Sequence, residues 1–466
     1  MKVIFGIYSL LLVCFAAFII TGSSGCAQIG SIAGGNKDTL APVLVSSSPK
    51  LMTSNFTGNK ITLTFDEYVD ELQDIPNNIV VSPYPKITPV FTSKFKTVSI
   101  KLKDSLLPNT TYAINFGNSI KDIREGNIIK DFTYVFSTGS TIDSLTLTGN
   151  VELAETGKID STIIVMLYRD ATDSSVEKLK PNYISFVKSD GSFTFHHLPP
   201  GNFNIYALKD GDGGKTYNSK TELFAFADQP IVVNNNTTPV KLYAYAEEIQ
   251  SNTPNSSSGS KPKAPAPKTL RYSLQLSGQK QDIRENLVLE FNKAIKTIDT
   301  SKIILSDTNF IPVRGISYVL DSNKLVLKTT WLPDADYKLV VNKNAVTDST
   351  DSTLAKTDTV RLKTRGNFEY GRVVLRFNNI DLGKHPVLQF IQQDQIKESF
   401  PLTGKEWSYK LFPPGEYEIR ILYDDNNNGK WDPGSYSKKR QPEKVVLLPK
   451  KFSVKDDWDN EIDINL

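Results

Sequence analysis

The stretch Asp424-Asp425-Asn426-Asn427-Asn428-Gly429-Lys430-Trp431-Asp432 is the constellation in this chain best suited to hold an ion. Side-chain oxygens fall at alternate positions 424, 426 and 428, Gly429 permits a sharp turn, the carbonyl of Lys430 follows, and Asp432 adds a carboxylate. Calcium takes six to eight oxygen ligands, and a twelve-residue loop wraps it in this order. The loop's closing position holds Ser435 in place of a bidentate glutamate, so charge is short and binding is expected in the weak extracellular class, on the order of 10⁻⁴ to 10⁻³ M. A poorer copy, with one ligand fewer, places Asp210 and Asp212 ahead of Gly214. The competing reading is a polar turn, because Asp, Asn and Gly are the residues long hairpin loops favour. Calcium is thus a possible cofactor, and no other cofactor is indicated.

The remaining candidates for chemistry are sparse. His196 and His197 are adjacent on an expected strand and point to opposite faces, so they cannot ligate one metal together; His385 precedes Pro386 in a loop. No Gly-x-Ser-x-Gly elbow occurs. Lys209 to Thr216 nearly matches a phosphate-binding loop, but Lys209 stands where the first glycine belongs and a strand-like segment follows. The chain reads as a non-enzyme, with a hydrolase of unrecognised site as a distant alternative. Triplets of Asp, then Ser or Thr, then an aliphatic residue or Thr recur at Thr39, Ser105, Ser144, Ser161, Ser349, Ser352 and Thr359. They resemble the O-glycosylation acceptor pattern of exported Bacteroidetes proteins, and they equally suit turns at strand ends.

The elements that must position these residues are strands. Tyr, Phe, Val, Ile and Thr are plentiful and alanine-rich amphipathic runs are scarce, so the fold expected is all-β. Phe193 to Asp212, with Pro199-Pro200-Gly201, repeats as Trp407 to Asn426, with Pro413-Pro414-Gly415. Ile61-Thr62-Leu63-Thr64-Phe65 likewise repeats as Leu287-Val288-Leu289-Glu290-Phe291. The order is A-B-A′-B′, four tandem β-sandwiches, with A over 41–140, B over 141–248, A′ over 269–365 and B′ over 366–466. Residues 249–268 are rich in Ser and Pro and cannot bury enough surface to offset their ordering entropy, so they read as a linker letting the two pairs move independently.

The A unit resembles the S-layer-protein type of bacterial Ig-like domain through Ala41-Pro42-Val43, Ser48-Pro49, Leu107 to Tyr112, Asp122, Gly126-Asn127 and Phe136-Ser137-Thr138. A′ is a divergent copy keeping Leu332-Pro333, Tyr337, Asp348 and Leu362-Lys363-Thr364. The B units are similar to prealbumin-like or carboxypeptidase-regulatory-like sandwiches, through Thr148 to Val151, Gly191 to Phe193 and Leu198 to Gly201.

The chain's beginning resembles a bacterial lipoprotein signal: Lys2, an apolar stretch from Val3 to Ile20, and small residues leading to Cys26. Residues 1–25 would be a signal peptide and 26–40 a tether. An uncleaved transmembrane anchor is the alternative. Taken together, the units and the signal are similar to Bacteroidetes Ig-like-domain-containing lipoproteins. The resemblance implies a non-catalytic, lipid-anchored envelope protein that binds or scaffolds, with a carbohydrate-binding or adhesive surface role as the alternative. The implied partners are the membrane, through the lipid, and an envelope protein or glycan. Ala27-Gln28-Ile29 lack an acidic surface-export cluster, which favours the periplasmic face of the outer membrane. With 54 basic and 51 acidic residues, the charge gives no reason to expect nucleic acid.

Overall fold

The protein, represented by a computed structural model, is described over residues 37–169, 172–248 and 269–466. Cys26 and the segment 249–268 lie outside the described residues. Among the described residues two compact units emerge, one of 37–81 with Pro85–Ile142, the other of Ser82–Tyr84 with the described residues from Asp143 to Leu466.

The first unit holds module A. Strand Lys60–Phe65 alternates as its sequence requires, sending Ile61, Leu63 and Phe65 inward and its threonines outward. It pairs antiparallel with Leu44–Ser48 and with Thr97–Lys101. A second sheet around Thr111–Asn115 and Thr133–Ser137 supplies Ile114 and Phe136 to the same core. The buried Asp122 closes the turn after this layer by accepting the backbone N–H groups of Arg124, Glu125, Gly126 and Asn127. Burial raises its pKa, and these four donors overcome that and hold the carboxyl below the usual range.

The second unit contains A′, B and B′. A′ repeats the pairing of A: Leu287–Phe291 lies between Tyr272–Gln275 and Lys324–Lys328, and Asp336–Val341 lies between Ile303–Asp307 and Asp358–Lys363. Trp331 is buried in its core and its indole N–H donates to the Glu285 carbonyl at 3.0 Å.

B and B′ share a topology. In B one sheet runs Tyr183–Phe186, Ile164–Arg169, Gly201–Leu208, with Phe224–Phe226 and Ile231–Val233 both on the last strand. In B′ the same places are taken by Gln395–Pro401, Pro386–Gln392, Gly415–Tyr423, Val445–Leu447 and Phe452–Val454. Each second sheet has three strands, with the final strand parallel to the first: Val240–Ala244 beside Leu145–Leu153, and Asp459–Asn465 beside Gly371–Asn378.

The larger sheets break the two-residue alternation. Ile164 through Tyr168 are all buried, as are Pro386 through Ile391. A strand shows that pattern when both faces of its sheet are covered. In B the inner face carries Val165, Leu167 and Ile205, while the outer face builds a separate cluster around Met166, Tyr206 and Phe224. That outer cluster includes Tyr436 and Trp431, residues of B′.

Candidate functional site

The expected ion loop of B′ leaves strand Gly415–Tyr423, and its first carboxylate is wholly buried. Asp424 accepts the N–H of Asn428 at 3.1 Å and of Gly429 at 2.6 Å. The Asn426 and Asn428 side-chain oxygens accept the N–H groups of Asn428 and Lys430. Both amide groups donate to one oxygen of Asp432, each at 2.6 Å. Positive φ angles at Asn427 and Gly429 bring the backbone round to these acceptors. The alternate oxygens thus face the loop's own donors.

Glu443 sits eight residues past the loop's expected closing position, and its sequence place gave no hint of its role. Its Oε1 accepts the Asp425 N–H and its Oε2 the Asp432 N–H, each at 2.9 Å. Burial raises its pKa, with the two backbone donors opposing. Its carbonyl accepts the Trp431 indole N–H at 3.0 Å, which seats that ring against Val387, Leu422 and Val445. Among the described residues, no group of three or more His, Cys, Asp or Glu side chains is placed to hold a metal ion.

The B copy of the loop has the same frame with exchanged chemistry. Asp210 accepts the Lys215 N–H at 3.3 Å and the Lys215 ammonium at 2.6 Å. Asp212 accepts the Asn218 amide at 2.7 Å, where B′ has an asparagine donating to Asp432. Lys209 pairs with Asp160 at 2.9 Å, so both lysines of the near-match to a phosphate loop are held by carboxylates.

Beyond the B′ loop the chain projects an arm onto B. Tyr436 is buried among Tyr206, Tyr217, Phe224 and Phe226, with ring centroids 5.1–6.2 Å away and steeply inclined. Its hydroxyl donates to the Asp173 carbonyl at 2.7 Å and lies 3.1 Å from the Tyr206 hydroxyl. Its backbone N–H donates to Glu247 at 2.8 Å. Gln441 donates to the Phe226 carbonyl at 3.0 Å and to Asp228 at 2.7 Å. Gly434 lies so close to Tyr245 that a Cβ there would meet the ring at 2.5 Å.

A second patch joins the same two sandwiches. Buried Arg420 donates to the Glu155 carbonyl at 2.8 Å and to Gln389 at 2.9 Å, Lys158 pairs with Asp394 and Glu418, and Gly157 abuts Leu447. A′ is tied to B′ by Arg284, which bonds Asp282 and Glu398, and by the Tyr370 hydroxyl, which donates to Asp282 at 2.7 Å. These contacts overturn the expectation of independent pairs: whatever the intervening segment does, B is packed against B′, and a linker's composition says nothing about contacts made around it.

The other candidates are dispersed. His196 and His197 lie where strand Ser192–Leu198 slips register, with His197 at positive φ, so regular alternation does not govern them. The His197 ring bonds the Asp143 carbonyl, and the His385 carbonyl accepts the Asp424 N–H. Of the seven glycosylation candidates, Ser352 is half-buried and the other six are exposed. Several of the preceding aspartates have structural partners, Asp348 bonding Lys293 and the N–H groups of Thr350 and Ser352. Trp407 is half-buried against Phe390 and Phe400. No helix among the described residues is long and apolar enough to cross a membrane.

Residues 38–138 match the family model described as bacterial Ig-like domain. No curated protein matches the chain. Native alpha-2-macroglobulin from Escherichia coli, over domains MG0-NIE-MG1, aligns at 17% identity across 39% of this chain and 72% of that one, with a TM-score of 0.20. The major pilin subunit BcpA of Bacillus cereus aligns at 10% identity across 70% and 99%, with a TM-score of 0.17. The S-layer protein rSbsC aligns at 13% identity across 91% of this chain and 54% of its own, with a TM-score of 0.16. The family match falls on module A, and the likeness to bacterial Ig-like domains applies to that sandwich.

Proposed function

We propose that the protein is a non-catalytic binding or scaffolding component of the cell envelope, held to the periplasmic face of the outer membrane by lipid on Cys26. The observation that carries this reading is where the buried polar groups go. Glu443, Arg420 and Asp282 join loop to sheet and sandwich to sandwich, which makes a stiff body suited to holding partners at fixed spacing. The bacterial Ig-like match over 38–138 supports the same reading. Fractionation of cells expressing wild type and Cys26→Ser, followed by identification of co-purifying envelope components, tests it. Wild type is expected in the outer-membrane fraction with a reproducible protein or glycan partner. Membrane retention of Cys26→Ser at normal mature size overturns the anchor.

A glycan-binding surface is the second reading, favoured by one pair on module A. Tyr68 and Phe95 are exposed, meet edge to face at 6.3 Å, and carry Lys96 and Lys94 over their rings. Aromatic faces of this kind stack on sugar rings, so Phe95→Ala should abolish retention on a glycan array if this surface is the one used.

A further inference from the structure

The arm around Tyr436 is anchored to B through an aromatic pocket and polar groups that belong wholly to B: the Asp173 carbonyl and Glu247 carboxylate, which accept from Tyr436, the Phe226 carbonyl, which accepts from Gln441, and the rings of Tyr206, Phe224 and Phe226. None of these groups lies in A′ or in the segment that connects B to A′. We propose that the outer face of B is an autonomous binding site for a tyrosine-centred arm, filled in this chain by residues 431–441, so that B stays bound to the A′ and B′ sandwiches when the covalent connection between them is cut.

Three features separate this site from ordinary packing between neighbouring domains. The ligand is compact: one buried aromatic anchor, flanked by Gly434, which allows close approach to Tyr245, and by Gln441, which closes the far side. Such a central anchor in a desolvated pocket is the arrangement that concentrates binding energy. The polar contacts are also directional, because Glu247 receives the arm's backbone N–H and Ser435 hydroxyl, reading main chain as well as ring. Finally, the Arg420 patch draws on other stretches of both partners, Glu155 and Lys158 on one side and Asp394 and Glu418 on the other. Two patches on one pair of bodies bind with the effective concentration of a tethered pair, since the second contact forms within an already associated complex.

The test uses the full chain with a protease recognition sequence inserted between Gly259 and Ser260. After complete cleavage, the two products are expected to run as one species in sedimentation velocity at micromolar concentration. Tyr436→Phe keeps the ring and removes the hydroxyl, and should raise the dissociation rate of the cleaved complex on the order of tenfold, as expected when a buried carbonyl loses its donor. Tyr436→Ala should separate the products. Circular dichroism of each variant before cleavage shows whether the sandwiches are folded, and Glu247→Gln, which keeps one acceptor oxygen, gives an intermediate rate from the pocket side. Separation of the wild-type products overturns the proposal, as does a cleaved complex whose stability is the same in wild type and Tyr436→Ala.

Discussion

The loops after Leu208 in B and after Leu422 in B′ begin as the same object and end as different ones. Leu208 pairs with Phe224 and Leu422 with Val445, separations of 16 (224 − 208) and 23 (445 − 422) residues. Up to Asn218 and Asp432 the two match position by position, including positive φ at Gly213 and Asn427 and at Lys215 and Gly429. Tyr217 stacks on Phe224 in B as Trp431 packs on Val445 in B′. Glu222 and Glu443 reach back to equivalent N–H groups, those of Asn218 and Asp432. The seven additional residues of B′ fall between these landmarks and carry Tyr436. An Asp/Asn loop therefore serves as the root from which an insertion can be aimed, and its alternate oxygens serve backbone donors in this structure.

Excising Pro433–Lys439 would make the B′ loop as short as its counterpart and is the harshest trial of this comparison. B′ should stay folded, while B loses a buried aromatic, an effect of about 3–5 kcal/mol on the stability of the second unit, read by denaturant titration. A smaller effect is expected from the roots themselves. Asp424→Ala strands two N–H groups beneath a carboxylate with no exposure and should cost about 2–3 kcal/mol; Asp210→Ala should cost about 1 kcal/mol because Lys215 can turn to solvent. Equal losses at the two positions would break the comparison.

Glu443→Gln sharpens it through pH. Burial holds the folded-state pKa of Glu443 above the ordinary value of 4.5, so its contribution is whole below that value and is lost as pH rises through the raised folded value. The variant does not titrate there, and the gap in Tm between wild type and Glu443→Gln should be wider at pH 4.5 than at pH 8. Calcium gives the smallest expected effect. At 1 mM, a site with affinity of 10⁻⁴ to 10⁻³ M would stabilise the last sandwich by about 0.4–1.4 kcal/mol. Asp424→Ala with Asp432→Ala should abolish the shift in Tm and Asp212→Ala should leave it. An identical wild-type melting curve in chelator and in calcium assigns the loop to turn formation alone.

The sequence made the four-sandwich order readable because period-two strands such as Lys60–Phe65 and Leu287–Phe291 have one wet face, and because both Pro-Pro-Gly turns survive in the duplicated unit. The contact between B and B′ left a weaker trace. The unbroken apolar run Ile163 to Tyr168 announces a sheet covered on both faces, but a run of that kind does not say what covers it. Tyr436 stands among Ser, Lys and Arg, the composition of an exposed turn, and Glu443 lies outside the spacing that a calcium loop prescribes. Tyr436 gained its role from groups of B 189 and 263 positions away, and Glu443 from backbone donors 11 and 18 residues before it, at spacings that local patterning does not encode.

The tyrosine clasp also changes how a pull would travel through the molecule. Tyr206 and Tyr436 are 230 residues apart in sequence, and the whole of A′ together with the segment 249–268 lies between them. Tension entering B and leaving through the C-terminal strand Asp459–Asn465 passes across the clasp and the Arg420 patch and bypasses that long detour. The Arg420 patch bears that load in parallel, so both contacts must part before the covalent path through A′ takes the strain. The arm thus gives a pull on the chain a short path from sandwich to sandwich, running beside the long covalent one.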